Sequence, residues 1–219
     1  MHRRPHRRHH PHSPLSWLQV VRVLDFMPQG NPLDHHAEHR SRPFAQALDE
    51  TKLKLIEFGV KEGSSLKIGE RVSFRPLDER IIPRVYLIKY EDLSTVAQEN
   101  LPEVLRNFVK DNEKLFVTFL NVASPITLKF HALELLPHIG KKTLKQILEE
   151  RERKPFESFE DFEKRTGYKD IVEGIVERIL KELQGGEKYY LFVEPPPRSN
   201  AVFLNYLEKV RSIARSGSK

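Results

Sequence analysis

The 219-residue sequence contains no cysteine, two methionines and one tryptophan. Without cysteine the chain has neither disulfide bonds nor thiolate metal ligands, which excludes disulfide-rich secreted domains and zinc ribbons. Apolar runs are too short to cross a membrane, and the N-terminal segment lacks the apolar centre of a signal peptide. We therefore expect a cytoplasmic protein without a membrane partner.

Motifs that mark common catalytic sites are missing as well. The sequence has no Gly-rich nucleotide loop, no nucleophile elbow and no His-Glu-x-x-His helix. Adjacent acids such as Glu149 and Glu150 fall on predicted solvent-facing helices, where carboxylates are usually only solvated. The sequence thus predicts a protein that is not an enzyme and binds no cofactor. A divalent-metal nuclease, whose acids would converge from separate elements, stays open as an alternative.

The charge of the chain is concentrated at its two ends. The formal net charge is +6, of which residues 1–16 contribute +4 and residues 198–219 another +4, leaving −2 for residues 17–197. Basic ends can add salt-sensitive affinity for nucleic acid that is blind to sequence. Binding by the folded body would instead depend on local basic patches and backbone N–H groups.

Composition and apolar spacing divide the chain into six segments. Residues 1–16, rich in His, Arg and Pro, have no apolar periodicity and are expected to form a disordered basic tail. The other segments are residues 17–92 with strand patterns, 93–125 with two connecting helices, 126–186 with helical hairpins, 187–197 with a returning strand and a proline stop, and 198–219 with a basic amphipathic helix and tail.

Short strand patterns at 20–26, 45–58, 69–74 and 85–90 are separated by Gly, Pro and Asp. They suit a small Greek-key barrel of the OB type, a fold that commonly binds single strands through a basic groove and stacked aromatics. The candidate contacts are Arg40, Arg42, Arg71, Arg75, Arg80 and Arg84, with Phe44, Phe74 and Tyr86 as stacking surfaces. The alternative is that these aromatics are core residues.

Three imidazoles and two carboxylates crowd the segment from Asp34 to His39. The segment lies in a predicted loop, and no partner ligand is implied elsewhere in the sequence. Because metal sites need ligands fixed by surrounding structure, we predict no metal site here.

The segment from Leu135 to Leu144 reads as an apolar helix end, a tight turn and a second helix that begins with two lysines. A helix N-terminus carries unpaired N–H groups and partial positive charge, so it binds phosphate. The pattern resembles the helix-hairpin-helix motif, with His138 where the family prefers glycine and Leu144 in place of alanine. The predicted contacts are Pro137, His138, Ile139, Gly140, Lys141, Lys142 and Thr143. A turn that only packs is the alternative.

A second, degenerate hairpin is predicted to follow. Pro155 should stop one helix, and Ser158 with Asp161 forms a capping pattern for the next. Gly167 and Lys169 belong to the predicted second turn and are further candidate contacts. The apolar stripe along its second helix, which we expect to be core, comprises Ile171, Ile175, Ile179 and Leu183.

Four sequence blocks together resemble one family. The blocks are 23–30, 61–63 with 68–72, 126–127 with 133–137, and 155–161, and their order is similar to that of the archaeal DUF655 family of proposed RNA-binding proteins. The resemblance spans roughly residues 18–194. It implies an α+β multidomain protein in which a small N-terminal OB-like β-barrel precedes an α-helical tandem helix-hairpin-helix domain. Members are commonly encoded near translation and rRNA-modification genes, which implies ribosomal or rRNA-modification partners.

These patterns lead to one principal hypothesis. We expect a non-enzymatic nucleic-acid-binding protein, with RNA favoured over DNA, whose hairpin contacts phosphate backbone while the barrel contacts a single-stranded segment. Two alternatives stay open: a protein-docking scaffold, and an accessory subunit of a DNA- or RNA-processing enzyme.

Overall fold

A computed structural model of the chain describes residues 16–216. The expected disordered tail, residues 1–16, lies outside the described residues except for Ser16, and so do residues 217–219 of the C-terminal tail. The described chain forms two compact units. The first holds residues up to Ile88 together with Asp92–Ala97, and the second holds Lys89–Glu91 and the residues from Gln98 onward.

The first unit is a curled, antiparallel, five-stranded half-barrel. Its strands are β1 (Val20–Met27), β2 (Phe44–Asp49), β3 (Leu55–Val60), β4 (Arg71–Ser73) and β5 (Ile81–Ile88), in the order β4-β1-β2-β3-β5. The central strands β2 and β3 are buried at every residue. Register shifts near Asp25 and Gly59 mark bulges, which bend the strands and help the sheet to curl.

The alternation of Leu53 and Leu55 does not belong to one strand, contrary to the expectation for residues 45–58. Leu53 lies in the turn between β2 and β3 with a φ of 53°, a left-handed conformation that is uncommon for such a residue. Asp49 fixes the turn, because its carboxylate accepts hydrogen bonds from the N–H groups of Thr51 and Lys52. A buried carboxylate therefore reverses the chain where the apolar pattern alone predicts continuation.

Six α-helices lie in the described chain. They are α1 (Thr95–Asp111), α2 (Glu113–Val122), α3 (Lys141–Arg153), α4 (Phe159–Thr166), α5 (Ile171–Gln184) and α6 (Tyr206–Ser216). The predicted caps form: the hydroxyl of Ser94 accepts from the N–H of Ala97, and that of Ser158 accepts from the N–H of Asp161. None of the described helices has both the length and the apolar character needed to cross a membrane.

The segment before the first predicted hairpin turn is not the end of an α-helix. A small hairpin of β6 (Pro125–Thr127) and β7 (Phe130–His131) leads into one turn of 3-10 helix, Ala132–Leu135. His131 caps this turn, because its Nδ1 accepts from the N–H of Leu133. Leu136 then adopts an extended backbone, which is the conformation favoured before a proline. The expected first helix is thus reduced to a single turn.

The returning strand expected at residues 187–197 does not join the five-stranded sheet. Only β8 (Tyr189–Tyr190) forms there, and it pairs in parallel with β9 (Val202–Phe203). The next three N–H groups, of Leu191, Phe192 and Val193, donate to the buried carboxylate of Glu182 at 2.6–2.9 Å. Since these groups are already satisfied, they are not available to a sheet.

Aromatic side chains form much of the core of the second unit. The ring of Phe119 lies edge-on to the rings of Phe192 and Tyr206, with centroids 4.9 Å apart in both pairs. Phe203 and Leu204, expected on the C-terminal helix, precede it, because α6 begins at Tyr206. The predicted stripe on α5 is buried at its three isoleucines and half-buried at Leu183.

Candidate functional site

The first turn of the second unit joins the 3-10 helix to α3. Leu136 and Ile139 are buried beneath it, whereas His138 and Gly140 are exposed. The left-handed residue of the turn is His138, with a φ of 60°. Gly140 has an extended backbone, and a Cβ added to it would meet nothing within 4 Å. The turn itself does not require glycine at position 140, because any residue can adopt this backbone conformation. The absence of a side chain at Gly140 instead leaves the first N–H groups of α3 uncovered.

Among residues 16–216, no carboxylate caps the N-terminus of α3. Gly140 provides no side-chain cap, and the first turn of the helix contains no acidic residue. The first N–H that bonds back into the helix is that of Leu144, which donates to the carbonyl of Gly140 at 2.9 Å. The preceding N–H groups of Lys141, Lys142 and Thr143 find no acceptor among residues 16–216. Such groups, with the helix dipole, form an anion-binding end.

The two lysines at this end are not equivalent. Lys141 is tied back to the protein: its Nζ donates to the carbonyl oxygen of Lys129 at 2.5 Å and lies 2.6 Å from a carboxylate oxygen of Glu134. Lys142 is exposed and makes no ion pair or side-chain hydrogen bond within the described part of the chain. Thr143 is half-buried. The uncompensated positive charge at the N-terminus of α3 is therefore that of Lys142.

The second predicted turn joins α4 to α5 and differs at its helix start. Gly167 ends α4 with a φ of 71°, and Lys169 is exposed. Asp170 caps α5 by accepting from the N–H of Glu173 at 3.0 Å, and a carboxylate oxygen of Glu163 accepts from the N–H of Ile171 at 2.8 Å. Two protein carboxylates thus already occupy the end of α5 that an external phosphate would need.

The two turns are linked directly. The hydroxyl of Tyr168, in the second turn, donates to the carbonyl oxygen of Pro137, in the first, at 2.7 Å. Burial, together with the negative charges of Glu177, Asp170 and Glu163, raises the pKa of Tyr168 to about 12, so the hydroxyl keeps its proton. Gly174 makes room for this side chain, because a Cβ there would lie 2.4 Å from the Tyr168 hydroxyl oxygen.

The six arginines predicted as contacts in the first unit divide into paired and unpaired groups. Three of the six lie against acids: Arg71 with Glu50, Arg80 with Glu70 and Asp78, and Arg84 with Glu38. Arg40 donates through Nε to the backbone carbonyl of Asp34. Arg42 and Arg75 are exposed, and their side chains make no ion pair or hydrogen bond within residues 16–216. Sequence position alone does not separate these groups.

The predicted stacking surfaces are mostly buried. Phe44 is fully buried and Phe74 is 6% exposed, so both are core residues and the stacking role predicted for them is wrong. Tyr86 is half-buried, and its ring stacks on that of His36 with centroids 3.8 Å apart.

A cleft of about 310 Å³ lies in the first unit beside the half-barrel. Two of the predicted arginines, Arg42 and Arg84, reach it. Its lining residues are Glu38, His39, Arg42, Pro43, Gly59, Ile82 and Arg84. The long loop between β1 and β2 contributes four of the seven, so this loop forms one wall of the cleft.

The same loop carries the histidine-rich segment, and the structure supplies the partner that the sequence did not imply. Glu57, on β3, faces the loop. Its Oε2 lies 2.9 Å from Nδ1 of His36 and 3.2 Å from Nδ1 of His39. Oδ1 of Asp34 lies 3.3 and 3.7 Å from the same two nitrogens. One ligand atom from each of these four residues lies within 4.8 Å of the other three.

The surroundings of this four-residue cluster are ordered by further contacts. Gln46 donates to Oε1 of Glu57 at 2.8 Å and accepts from the N–H of Ser94 at 2.8 Å. Burial raises the pKa of the Glu57 carboxyl, but hydrogen bonds from His39 and Gln46, together with the attraction of each imidazole in its protonated form, outweigh this and hold the pKa below its usual value. The ring of His39 stacks on Phe44 with centroids 4.4 Å apart.

Gly30 explains how the loop folds over the sheet. It adopts a φ of 77°, and a Cβ there would lie 2.5 Å from the carbonyl oxygen of His39. That carbonyl accepts from the N–H of Asn31 at 2.8 Å, so the two ends of the loop touch. The sequence signal for Glu57 is modest: it is the one charged residue in the otherwise apolar strand β3.

Comparison with known proteins places this chain in a family. A model described as "Protein of unknown function (DUF655)" matches residues 18–194. The chain belongs to the DUF655 family. The uncharacterized protein MJ0038 of Methanocaldococcus jannaschii is 43% identical over 185 residues, which is 83% of this chain and 82% of that protein.

A solved structure from the same family is similar in fold to this chain. The crystal structure of Af1531 from Archaeoglobus fulgidus, a DUF655 protein, is similar with a TM-score of 0.72 and 38% identity. The match covers 80% of this chain and 99% of the Af1531 chain. The family assignment that the sequence blocks indicated is confirmed, and both relatives come from archaea.

Proposed function

We propose that this DUF655 protein binds nucleic acid without catalysing a reaction on it, and that RNA is its preferred ligand. The observation that carries the proposal is the start of α3, where, within the described part of the chain, an uncapped helix end, three N–H groups without an acceptor and the unpaired charge of Lys142 coincide. A phosphate group satisfies all of these features at once. Such a contact reads the backbone and no base edge, so sequence preference would have to arise elsewhere.

The second unit supports a tandem helix-hairpin-helix interpretation. Two turns, each followed by an α-helix, are held together by the Tyr168–Pro137 hydrogen bond, and both turns carry exposed glycine and lysine. The first hairpin departs from the motif, because a single 3-10 turn replaces its leading helix. We assign phosphate binding to the first turn, with Lys169 of the second as an added charge.

The first unit supports an OB-like interpretation. Its strand order, β4-β1-β2-β3-β5, is that of a five-stranded Greek-key barrel opened between β4 and β5. In barrels of this type the loop between the first two strands commonly contacts oligonucleotides, and here it supplies Arg42 to the cleft. A single-stranded segment is the ligand that we propose for this cleft. Two weak sites on one chain strengthen each other.

The decisive experiment measures RNA affinity against salt concentration for the wild type, Lys142→Ala and Lys114→Ala. Lys114 is an exposed lysine in the first turn of α2, so its removal changes the net charge equally. Lys142→Ala should weaken binding by a similar factor for RNAs of different sequence, and lower the slope of log K against log salt by about 1. Equal effects of the two substitutions would remove the α3 end from the site.

The same protein should be crosslinked in cells and its bound nucleic acid sequenced. Recovery of a defined rRNA or tRNA region, reduced in Lys142→Ala, would support a role near the ribosome or rRNA modification in an archaeal cytoplasm. Recovery of DNA alone would contradict the preference for RNA. Binding of no nucleic acid would favour a protein-docking scaffold, and cleavage of bound RNA in the presence of Mg²⁺ or Mn²⁺ would favour an enzyme.

A further inference from the structure

We propose that Asp34, His36, His39 and Glu57 bind one Zn²⁺ ion, which fastens the loop between β1 and β2 to strand β3. All four residues belong to the first unit, and zinc binding there does not depend on nucleic-acid binding.

The donor atoms are almost as close as a bound ion requires. In tetrahedral coordination with bonds of roughly 2.1 Å, neighbouring ligand atoms are about 3.4 Å apart. Four of the nitrogen–oxygen separations in the cluster are 2.9, 3.2, 3.3 and 3.7 Å. Both imidazoles present Nδ1 to the same two carboxylate oxygens, so one ion could contact all four donors after small side-chain shifts.

The charge of the cluster favours a divalent cation. Asp34 and Glu57 are 8% and 2% exposed, and both carboxylates face imidazoles. Within the described residues, no arginine or lysine forms an ion pair with either carboxylate. With neutral imidazoles the cluster would hold two buried negative charges, and burying uncompensated charge is unfavourable. A divalent ion neutralises both.

Glu182, in the second unit, shows how this protein surrounds another buried carboxylate with donors of its own. It is 2% exposed, pairs with Arg178 at 2.8 Å and accepts from three backbone N–H groups. Every oxygen of Glu182 thus has fixed donors, one of them permanently charged. Among residues 16–216, no arginine or lysine pairs with Asp34 or Glu57 in this way, so the two arrangements are suited to different partners.

The residues that surround the four proposed ligands hold them in place, as is expected around a metal site. Gln46 holds the second oxygen of Glu57, and the carbonyl of Asp92 in turn accepts from Gln46 at 3.0 Å. The imidazoles are oriented by stacking, His39 on Phe44 and His36 on Tyr86. Ligands oriented in this way lose little freedom when an ion binds, and such supporting residues strongly influence metal affinity.

The chemical types of the four ligand atoms favour Zn²⁺ over other divalent ions. Two imidazoles disfavour Mg²⁺ and Ca²⁺, which prefer oxygen ligands throughout. Two nitrogen and two oxygen donors from four protein side chains suit Zn²⁺ in a closed, four-coordinate site of the structural type. Such a site would fix the loop that forms a wall of the cleft.

The test uses the full chain with its head histidines, His2, His6, His9, His10 and His12, changed to alanine, because histidine-rich segments can bind zinc by themselves. After loading with Zn²⁺ and exhaustive dialysis, elemental analysis should find one zinc per chain. His36→Ala should lose it. His35→Ala is the matched control, since His35 is adjacent but its side chain is 84% exposed and it is not one of the four.

A second readout separates metal binding from folding. Adding EDTA should lower the melting temperature of the parent chain but not of His36→Ala, whose folding is checked by circular dichroism. Gln46→Leu should weaken zinc binding by about 10- to 100-fold. Equal zinc retention by His36→Ala, or equal loss by His35→Ala, would overturn the site. Selective retention of Mn²⁺ or Fe²⁺ would overturn the assignment to zinc.

Discussion

The two turns of the second unit both lead into an α-helix, but the N-termini of the two helices differ in how they are capped. The helix after the first turn, α3, starts at Gly140 with no side-chain cap, and Lys142 is exposed beside it. The helix after the second turn, α5, starts at Asp170, whose carboxylate caps it, and Glu163 accepts from its first N–H. A helix end that the protein has already satisfied contributes to stability, whereas an unsatisfied end is available to a ligand.

We expect the two turns to have different roles. The hydroxyl of Tyr168, in the second turn, donates to the carbonyl oxygen of Pro137 and so helps to position the first turn. Gly174 allows this contact by leaving room above α5. If the comparison is right, changes in the second turn should mainly affect stability, and changes in the first should mainly affect binding.

The largest expected effect comes from closing the space that Gly174 provides. In Gly174→Val the new side chain would overlap the Tyr168 hydroxyl, which a Cβ alone would approach to 2.4 Å. We expect the free energy of unfolding to fall by roughly 1 to 3 kcal/mol, as is usual when a packed site is overfilled. Urea denaturation followed by circular dichroism measures this loss.

A double variant identifies the cause of that loss. Tyr168→Ala removes the side chain that the introduced valine would strike, so Gly174→Val combined with Tyr168→Ala should destabilise the protein less than the sum of the two single changes. Simple additivity would show that Gly174→Val acts through some other contact, and the link between the turns would lose its main support.

The next-largest effect is expected when the side-chain cap of α5 is removed. Asp170 has a φ of 55°, so Asp170→Ala would lose the cap and also hold alanine in a left-handed conformation. Together these should cost roughly 2 kcal/mol of stability. Gly140→Ala is the matched change on α3 and should cost about 0.5 kcal/mol or less, since no side-chain cap is lost there. Similar losses at the two positions, measured by urea denaturation, would contradict the contrast between the helix ends.

The sequence was a good guide to the second unit where caps and glycines decide the structure. Ser158 and Pro155 correctly predicted where α4 begins and where α3 must end. The sequence was a poor guide to which lysine is available to a phosphate group at the start of α3. The pairing of Lys141 with Glu134 depends on the 3-10 turn, which the sequence did not predict. Charge patterns along a chain do not reveal ion pairs that depend on tertiary structure.

In the first unit the sequence predicted strands better than it predicted a site. The four predicted patterns overlap all five strands, but the pattern at residues 45–58 merges β2 with β3 because it could not place the turn made by Asp49. The sequence alone shows no partner ligand for the histidine-rich loop. Glu57 lies 18 residues or more beyond both histidines, and only the pairing of β3 with β2 brings it beneath the loop.

The third prediction concerns a carboxylate cap introduced at the start of α3, like the one that Asp170 provides at the start of α5. Gly140→Asp should place a carboxylate over the N–H groups of α3, and the extended backbone at this position accepts any residue. RNA affinity should fall roughly tenfold, or about 1.4 kcal/mol, because the new anion occupies the end proposed for phosphate. Stability should not decrease, since aspartate is a better cap than glycine.

Gly140→Asn separates occupation of the helix end from charge. Asparagine caps nearly as well as aspartate but carries no negative charge, so it should weaken binding less than Gly140→Asp does. Filter binding at two salt concentrations compares the variants. Unchanged affinity in Gly140→Asp would mean that phosphate does not bind at the start of α3.

The smallest effect concerns the ion pair that neutralises Lys141. Burial raises the pKa of Glu134, but hydrogen bonds from Lys141 and from the N–H of His131 outweigh it, and the pKa is held below its ordinary value. The stability gained from this lowered pKa is fully present above the ordinary pKa of glutamate and is lost as the pH falls through the lowered folded-state value. The difference in stability between the wild type and Glu134→Gln should therefore narrow as the pH is lowered through this range.

The same change releases Lys141, so at neutral pH Glu134→Gln should bind RNA slightly more tightly than the wild type. Weaker binding would instead mean that the Glu134–Lys141 pair is needed to shape the turn.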